Sequence, residues 1–179
     1  YNFGEGNLNV AEVKDSELDY VMVPFSVNGF RITSFCPSKK VSGSFTKLYL
    51  GSNVESVGEN TVYLSSNFSS LREINVDPAN KFLTAYKNVL YNIGNDAPYF
   101  IPSAITKLEL KPVKVIEKNF IYHLENVEEI VFAEGTERIE AYAVEKCRNL
   151  RKVYVPSSVT YMDNDAIYDC GNDVEIIRK

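Results

Sequence analysis

The stretch that decides the fold is Leu150–Asp173, LRKVYVPSSVTYMDNDAIYDCGND. Its residues return at a fixed interval towards the N-terminus. Met162, Ile139 and Ile116 stand 23 residues apart, as do Val159, Thr136 and Val113. Ile176, Val153 and Ile130 repeat at the same interval, and Cys170 matches Cys147. Self-similarity at a period of this size marks a solenoid, in which each unit buries its apolar side only against its neighbours.

Working outward, three compact units carry the pattern most clearly. Leu108–Glu109–Leu110 leads to KPVKVIEKNFIYHLEN, Ile130–Val131–Phe132 to AEGTERIEAYAVEKCRN, and Val153–Tyr154–Val155 to PSSVTYMDNDAIYDCGN. Each reads as a three-residue strand, a turn, and a short outer helical or turn-like segment marked by Ile121, Ala143 and Ala166. Such segments are too short for independent helices, so packing must hold them. Upstream, Ile74–Asn75–Val76 and Leu48–Tyr49–Leu50 are the corresponding strands of longer units, and Val21 and Val23 alternate as a first strand that Pro24 ends. Asn28–Gly29 is a turn signal, and Ile32 and Phe35 fit the positions later held by Val54 and Val57.

Residues 77–102 depart from the short unit and read as a β-hairpin-like excursion around a Gly94–Asn95–Asp96 turn. Residues 1–19 show no clear repeat and read as a tail and N-terminal cap, because an open solenoid end needs an atypical covering unit. Residues 20–179 then form one repeat domain, and the last strand, Val174–Lys179, is an exposed edge unless something covers it.

Composition narrows the function classes. A net charge of -5, with no basic cluster longer than two residues, argues against nucleic acid, which requires clustered Lys and Arg. No run approaches the ~20 apolar residues of a membrane-spanning helix. The chain starts at Tyr1 rather than Met, which reads as a mature or trimmed protein whose targeting segment is already gone. Three cysteines, Cys36, Cys147 and Cys170, have no metal-ligand spacing. Cys147 and Cys170 should stack about one strand spacing apart, ~5 Å, a distance at which a disulfide is conceivable, but two reduced core thiols behaving as small hydrophobes are the favoured reading.

With these units laid out, VPSSVTYMDNDAIYDCGNDVEII and LYLGSNVESVGENTVYL resemble the BspA-like, or Treponema pallidum-type, leucine-rich repeat. VPFSVNGFRITSF is similar to that family's first unit, and VDPANKFLTAYKNVLYN to its inserted form, with Asn88 where the family's G-V-L-Y-N turn has glycine. The resemblance covers about residues 20–179. It implies a leucine-rich repeat solenoid, mainly β with short outer helical or turn segments, forming a right-handed arc with a parallel sheet on its concave side. It also implies a secreted or cell-surface bacterial location and non-catalytic binding or adhesion, with no cofactor. A host or extracellular-matrix protein is the partner this favours. A glycan-binding module, or a structural spacer stacking through its ends, is the alternative.

Strand alternation selects the candidate surface. If Leu48 and Leu50 point inward, Tyr49 points out, and the same logic exposes Asn75, Glu109, Val131, Tyr154 and Ile177, flanked by Lys47, Glu73, Lys107, Glu129, Lys152 and Glu175. Tyrosine combines an apolar ring with a polar tip, which suits recognition surfaces. Catalytic readings find little: His123 is the only histidine, so a two-histidine metal site cannot form. Asp163, Asn164, Asp165 and Asp169 lack the glycine and closing Glu of an EF-hand loop and fit better as caps of the outer turn. Asn67-Phe68-Ser69 matches a glycosylation acceptor.

Overall fold

The computed structural model describes residues 7–10, 19–35, 45–57, 68 and 70–179; Cys36 and the Asn67-Phe68-Ser69 acceptor as a whole lie outside them. The chain divides into two compact units, Tyr1–Asn95 with Tyr99–Ser103, and Asp96–Pro98 with Ala104–Lys179. All regular structure among the described residues is strand, arranged as the parallel sheets of a leucine-rich-repeat-like β-solenoid.

In the second unit the 22- and 23-residue intervals become three parallel ladders. Lys107–Glu109, Glu129–Val131, Lys152–Val155 and Glu175–Arg178 form a four-stranded sheet. Val115–Ile116, Arg138–Ile139 and Tyr161–Met162 form a second, and Ile121–Tyr122, Val144–Glu145 and Ile167–Tyr168 a third. Equal spacing places equivalent residues in register: Leu108 with Ile130, Ile130 with Val153, and Val153 with Ile176. Leu108, Ile116, Ile121, Ile130, Ile139, Val144 and Val153 are fully buried between the three sides.

The outer segments are not helical. They are turns and two-residue strands whose backbone groups bond to the next coil rather than to themselves. Asn119 N–H donates to Tyr142 O (2.8 Å), Tyr142 N–H to Asp165 O (2.8 Å), and Val144 N–H to Ala166 O (2.9 Å). Left-handed residues make the corners: Asn119, His123, Tyr142, Lys146 and Asp169 all have positive φ. A helix would satisfy each N–H within its own segment, whereas here the neighbouring coil supplies the acceptor.

In the first unit Tyr20–Val23, Lys47–Leu50 and Glu73–Val76 form a parallel sheet, and Val23, Leu48, Leu50 and Ile74 face its core. Phe68 packs within about 6 Å, centroid to centroid, of Phe35 (5.8 Å), Phe45 (5.9 Å) and Phe100 (6.1 Å). The Asn28–Gly29 turn closes a hairpin of Ser26–Val27 on Phe30–Phe35, and Phe35 is in register with Val57. Asn7–Val10, within the stretch read as a tail, is a strand parallel to Phe30–Phe35.

The expected Gly94–Asn95–Asp96 turn joins two neighbouring strands of one sheet, Val89–Asn92 and Pro98–Phe100. A hairpin that the sequence reading did not mark pairs Leu83–Tyr86 with Val89–Asn92 and turns at Lys87–Asn88. Both turn residues are left-handed (φ 49° and 66°), the requirement of a type I′ turn. Asparagine tolerates that region better than most side chains, which explains how Asn88 stands where the family has glycine. Gly94, with φ 86°, makes a second turn before the sheet's third strand, Pro98–Phe100.

Candidate binding faces

The four-stranded sheet of the second unit turns one face to the core and the other to solvent. On the solvent side Glu109, Val131, Tyr154 and Ile177 align in a single cross-strand column, all half-buried. Beside it runs a second column, Lys107, Glu129, Lys152 and Glu175, in which the charge alternates at every step. Opposite charges directly across a ladder favour this register over any slip that brings like charges together. The Lys107 ammonium also reaches the Glu109 carboxylate (3.5 Å), and Lys179 Nζ lies 4.6 Å from the centre of the Tyr154 ring. Four of the six sequence-derived surface residues are therefore neighbours on one sheet.

Tyr49 and Asn75 lie together on the sheet of the first unit, and the column they belong to begins with Met22. Met22 is 62% exposed and was missed by the sequence reading, although YVMV alternates just as KLYL does. Tyr20, Lys47 and Glu73 form the flanking column. Tyr20 and Tyr49 meet edge to face (6.0 Å), Lys47 lies 3.8 Å from both Asp19 and Glu73, and Asn75 Nδ2 donates to Glu73 Oε1 (2.8 Å). The ring contact and the ion pairs run side by side along this sheet.

A further cluster lies on the outer side of the second unit. Tyr142 and Tyr168 meet edge to face (5.0 Å), with Lys118 Nζ 5.1 Å from the centre of the Tyr142 ring. Lys146 Nζ donates to Tyr122 Oη (2.8 Å) and sits 4.9 Å from that ring's centre. The bond to Tyr122, reinforced by Glu145, raises the Lys146 pKa. Sequence alternation could have exposed Tyr122 and Tyr168, but only by treating the outer segments as strands.

The polar residues weighed for chemistry have local structural roles. Asp163 Oδ1 accepts from the Asp165 backbone N–H (2.9 Å) and Oδ2 from the Tyr161 hydroxyl (3.0 Å), so Asp163 braces a turn rather than capping a helix. That bond to Asp163 is the first cause of the raised Tyr161 pKa. His123 is exposed at a corner, its Nε2 3.4 Å from Glu125.

The repeat geometry agrees with a family comparison: six copies of the BspA type leucine-rich repeat region match residues 42–174 of the 179. The chain belongs to this family. Solved structures with a similar fold include a leucine-rich repeat protein from Eubacterium ventriosum, 15% identical over 83% of this chain and 52% of that one, with a TM-score of 0.41. A leucine-rich cell surface protein from Faecalibacterium prausnitzii is 18% identical over 90% of this chain and 60% of that one, with a TM-score of 0.37. The pneumococcal vaccine antigen PcpA is 14% identical over 90% of this chain and 54% of that one, with a TM-score of 0.44. The chain thus spans between 52% and 60% of these proteins. No curated protein matches it.

Proposed function

We propose that this BspA-type repeat chain is a non-catalytic, protein-binding module of a bacterial cell-surface or secreted protein, and that it engages a host or extracellular-matrix protein through its open sheet faces. The observation that carries this reading is the in-register column Glu109–Val131–Tyr154–Ile177 beside an alternating charge column. Half-buried apolar and aromatic groups with a polar border match the anatomy of a protein interface. Tyr49 with Met22 and Asn75 forms a comparable column in the first unit. Family membership supports a binding role, and the F. prausnitzii relative is itself described as a cell surface protein.

A binding screen of the folded chain against extracellular-matrix proteins and host glycans tests this. Saturable binding to a protein, weakened by Tyr49→Ser and Tyr154→Ser in a variant with unchanged circular dichroism, is the expected result. Binding to glycans alone would replace the partner class, and protein binding unaffected by the variant would remove the sheet faces from the site.

A further inference from the structure

Among the described residues two hairpins close through two-residue turns, and the turns differ in the chemistry open to them. Asn28 and Gly29 join Ser26–Val27 to Phe30–Phe35, and both are left-handed (φ 50° and 81°). Lys87 and Asn88, also left-handed, join Leu83–Tyr86 to Val89–Asn92. Asn28 and Gly29 are exposed, and a methyl group built on Gly29 would meet no atom within 4 Å. Among the described residues neither the Asn28 side-chain amide nor the Gly29 N–H has a hydrogen-bond partner. The amides of Asn53, Asn75, Asn80 and Asn149, by contrast, are held by such bonds.

We propose that Asn28 is a spontaneous modification site, at which the side-chain amide is lost to water through a cyclic imide. Asn28–Gly29 is the only Asn-Gly step in the chain. The glycine matters because the attacking group is its backbone nitrogen, which no Cβ shields. At Asn88 the corresponding nitrogen belongs to Val89, a branched, fully buried residue paired with Tyr86 across the hairpin. The left-handed conformation turns the Asn28 Cβ away from the Gly29 nitrogen, so ring closure follows a rotation that opens the turn. The arm to be opened, Ser26–Val27, has two residues. Openings of short, exposed elements lie at the low end of the free-energy scale.

In the first step hydroxide takes the Gly29 N–H proton and the nitrogen attacks Asn28 Cγ. The Cγ–Nδ2 bond breaks and ammonia leaves, its last proton supplied by water, which regenerates the hydroxide. In the second, water adds to one of the two imide carbonyls and breaks that carbon's bond to the Gly29 nitrogen. Opening at Cγ gives aspartate; opening at the main-chain carbonyl carbon gives isoaspartate, with the main chain running through Cγ. The sum is one water consumed and one ammonia released, with no oxidation or reduction. Either product adds one negative charge, and isoaspartate lengthens by one carbon the turn that sets Val27 opposite Phe30.

The test follows the folded chain at neutral and mildly alkaline pH by peptide mass spectrometry, beside a sample unfolded in urea. In the folded chain the peptide holding Asn28 is expected to gain the mass difference between an amide and a carboxylic acid, as two products that separate on chromatography. The rate should rise with pH, and the peptide holding Asn88 should stay unchanged. Gly29→Ala, which shields the attacking nitrogen, should slow the reaction several-fold in urea, where the strain of alanine at a positive φ plays no part. A folded chain that stays unmodified at Asn28 while the urea sample is converted would overturn the proposal, as would an Asn88 that reacts as fast as Asn28 in the folded chain.

Discussion

Asn80 illustrates how single side chains hold the first unit together. It is 6% exposed, and its amide nitrogen donates to the carbonyls of Gly51 and Val54 (2.9 Å each) while its oxygen accepts from the N–H groups of Phe82 and Leu83 (2.8 Å each). Asn80→Ala leaves these backbone groups buried without that partner, which should cost about 3 kcal/mol; urea denaturation followed by circular dichroism measures it. Asn80→Asp should recover only part of the loss, because a carboxylate accepts but cannot donate to Gly51 and Val54. Thr136 is the opposite case. It is fully buried, and its hydroxyl has no hydrogen-bond partner among the described residues. Thr136→Val removes that polar atom at constant shape and should raise stability by about 1 kcal/mol in the same assay. The repeat column made the position visible, since Val113 and Val159 are its equivalents. That its hydroxyl goes unpaired depends on where neighbouring acceptors fall, and no periodicity encodes that.

At the scale of the strand, facing decides energetics. Ile130 and Val131 are adjacent, yet Ile130 is fully buried and Val131 half-buried on the outward column. Ile130→Ala should cost roughly 2–5 kcal/mol, and Val131→Ala well under half of that, both read from denaturation midpoints. Equal losses would mean that the two faces have been misassigned. The inner strands were legible because Leu108, Ile130 and Val153 combine alternation with a near-constant spacing, and Leu48 and Ile74 keep the alternation at wider intervals. The outer segments were not. A two-residue strand such as Val144–Glu145 is shorter than one helical turn and no longer than a single period of extended patterning, so apolar residues at Ile139, Ala143 and Val144 fit both readings. What decides between them is a neighbouring coil that supplies backbone acceptors, a non-local fact. Of the excursion's two turns, one was legible. Gly94–Asn95–Asp96 has strong turn composition and joins two neighbouring strands, whereas Lys87–Asn88 has weaker turn composition and was passed over.

At the scale of the whole molecule, a solenoid uses repetition to make a surface as well as a core. The spacing that stacks Leu108, Ile130 and Val153 inward also lines up Glu109, Val131 and Tyr154 outward, and sets lysine against glutamate beside them. Four of the expected surface residues were therefore found as one column by alternation alone, with Tyr49 and Asn75 paired on the other unit's sheet. Met22 and the Tyr122–Lys146 cluster were overlooked. The first belongs to the opening strand, whose YVMV alternation would have placed it beside Tyr49, and the second to segments read as helical or turn-like. The measurement that tests the central claim most directly is the affinity of a protein ligand from the binding screen for three chains: the parent, Tyr154→Ser, and Tyr168→Ser on the outer side. A central interface aromatic is worth about 1–2 kcal/mol or more on truncation. The account predicts roughly a tenfold weakening or greater for Tyr154→Ser, and parent-like affinity for Tyr168→Ser. Unchanged affinity for Tyr154→Ser with loss for Tyr168→Ser would contradict it and move the binding site to the outer cluster.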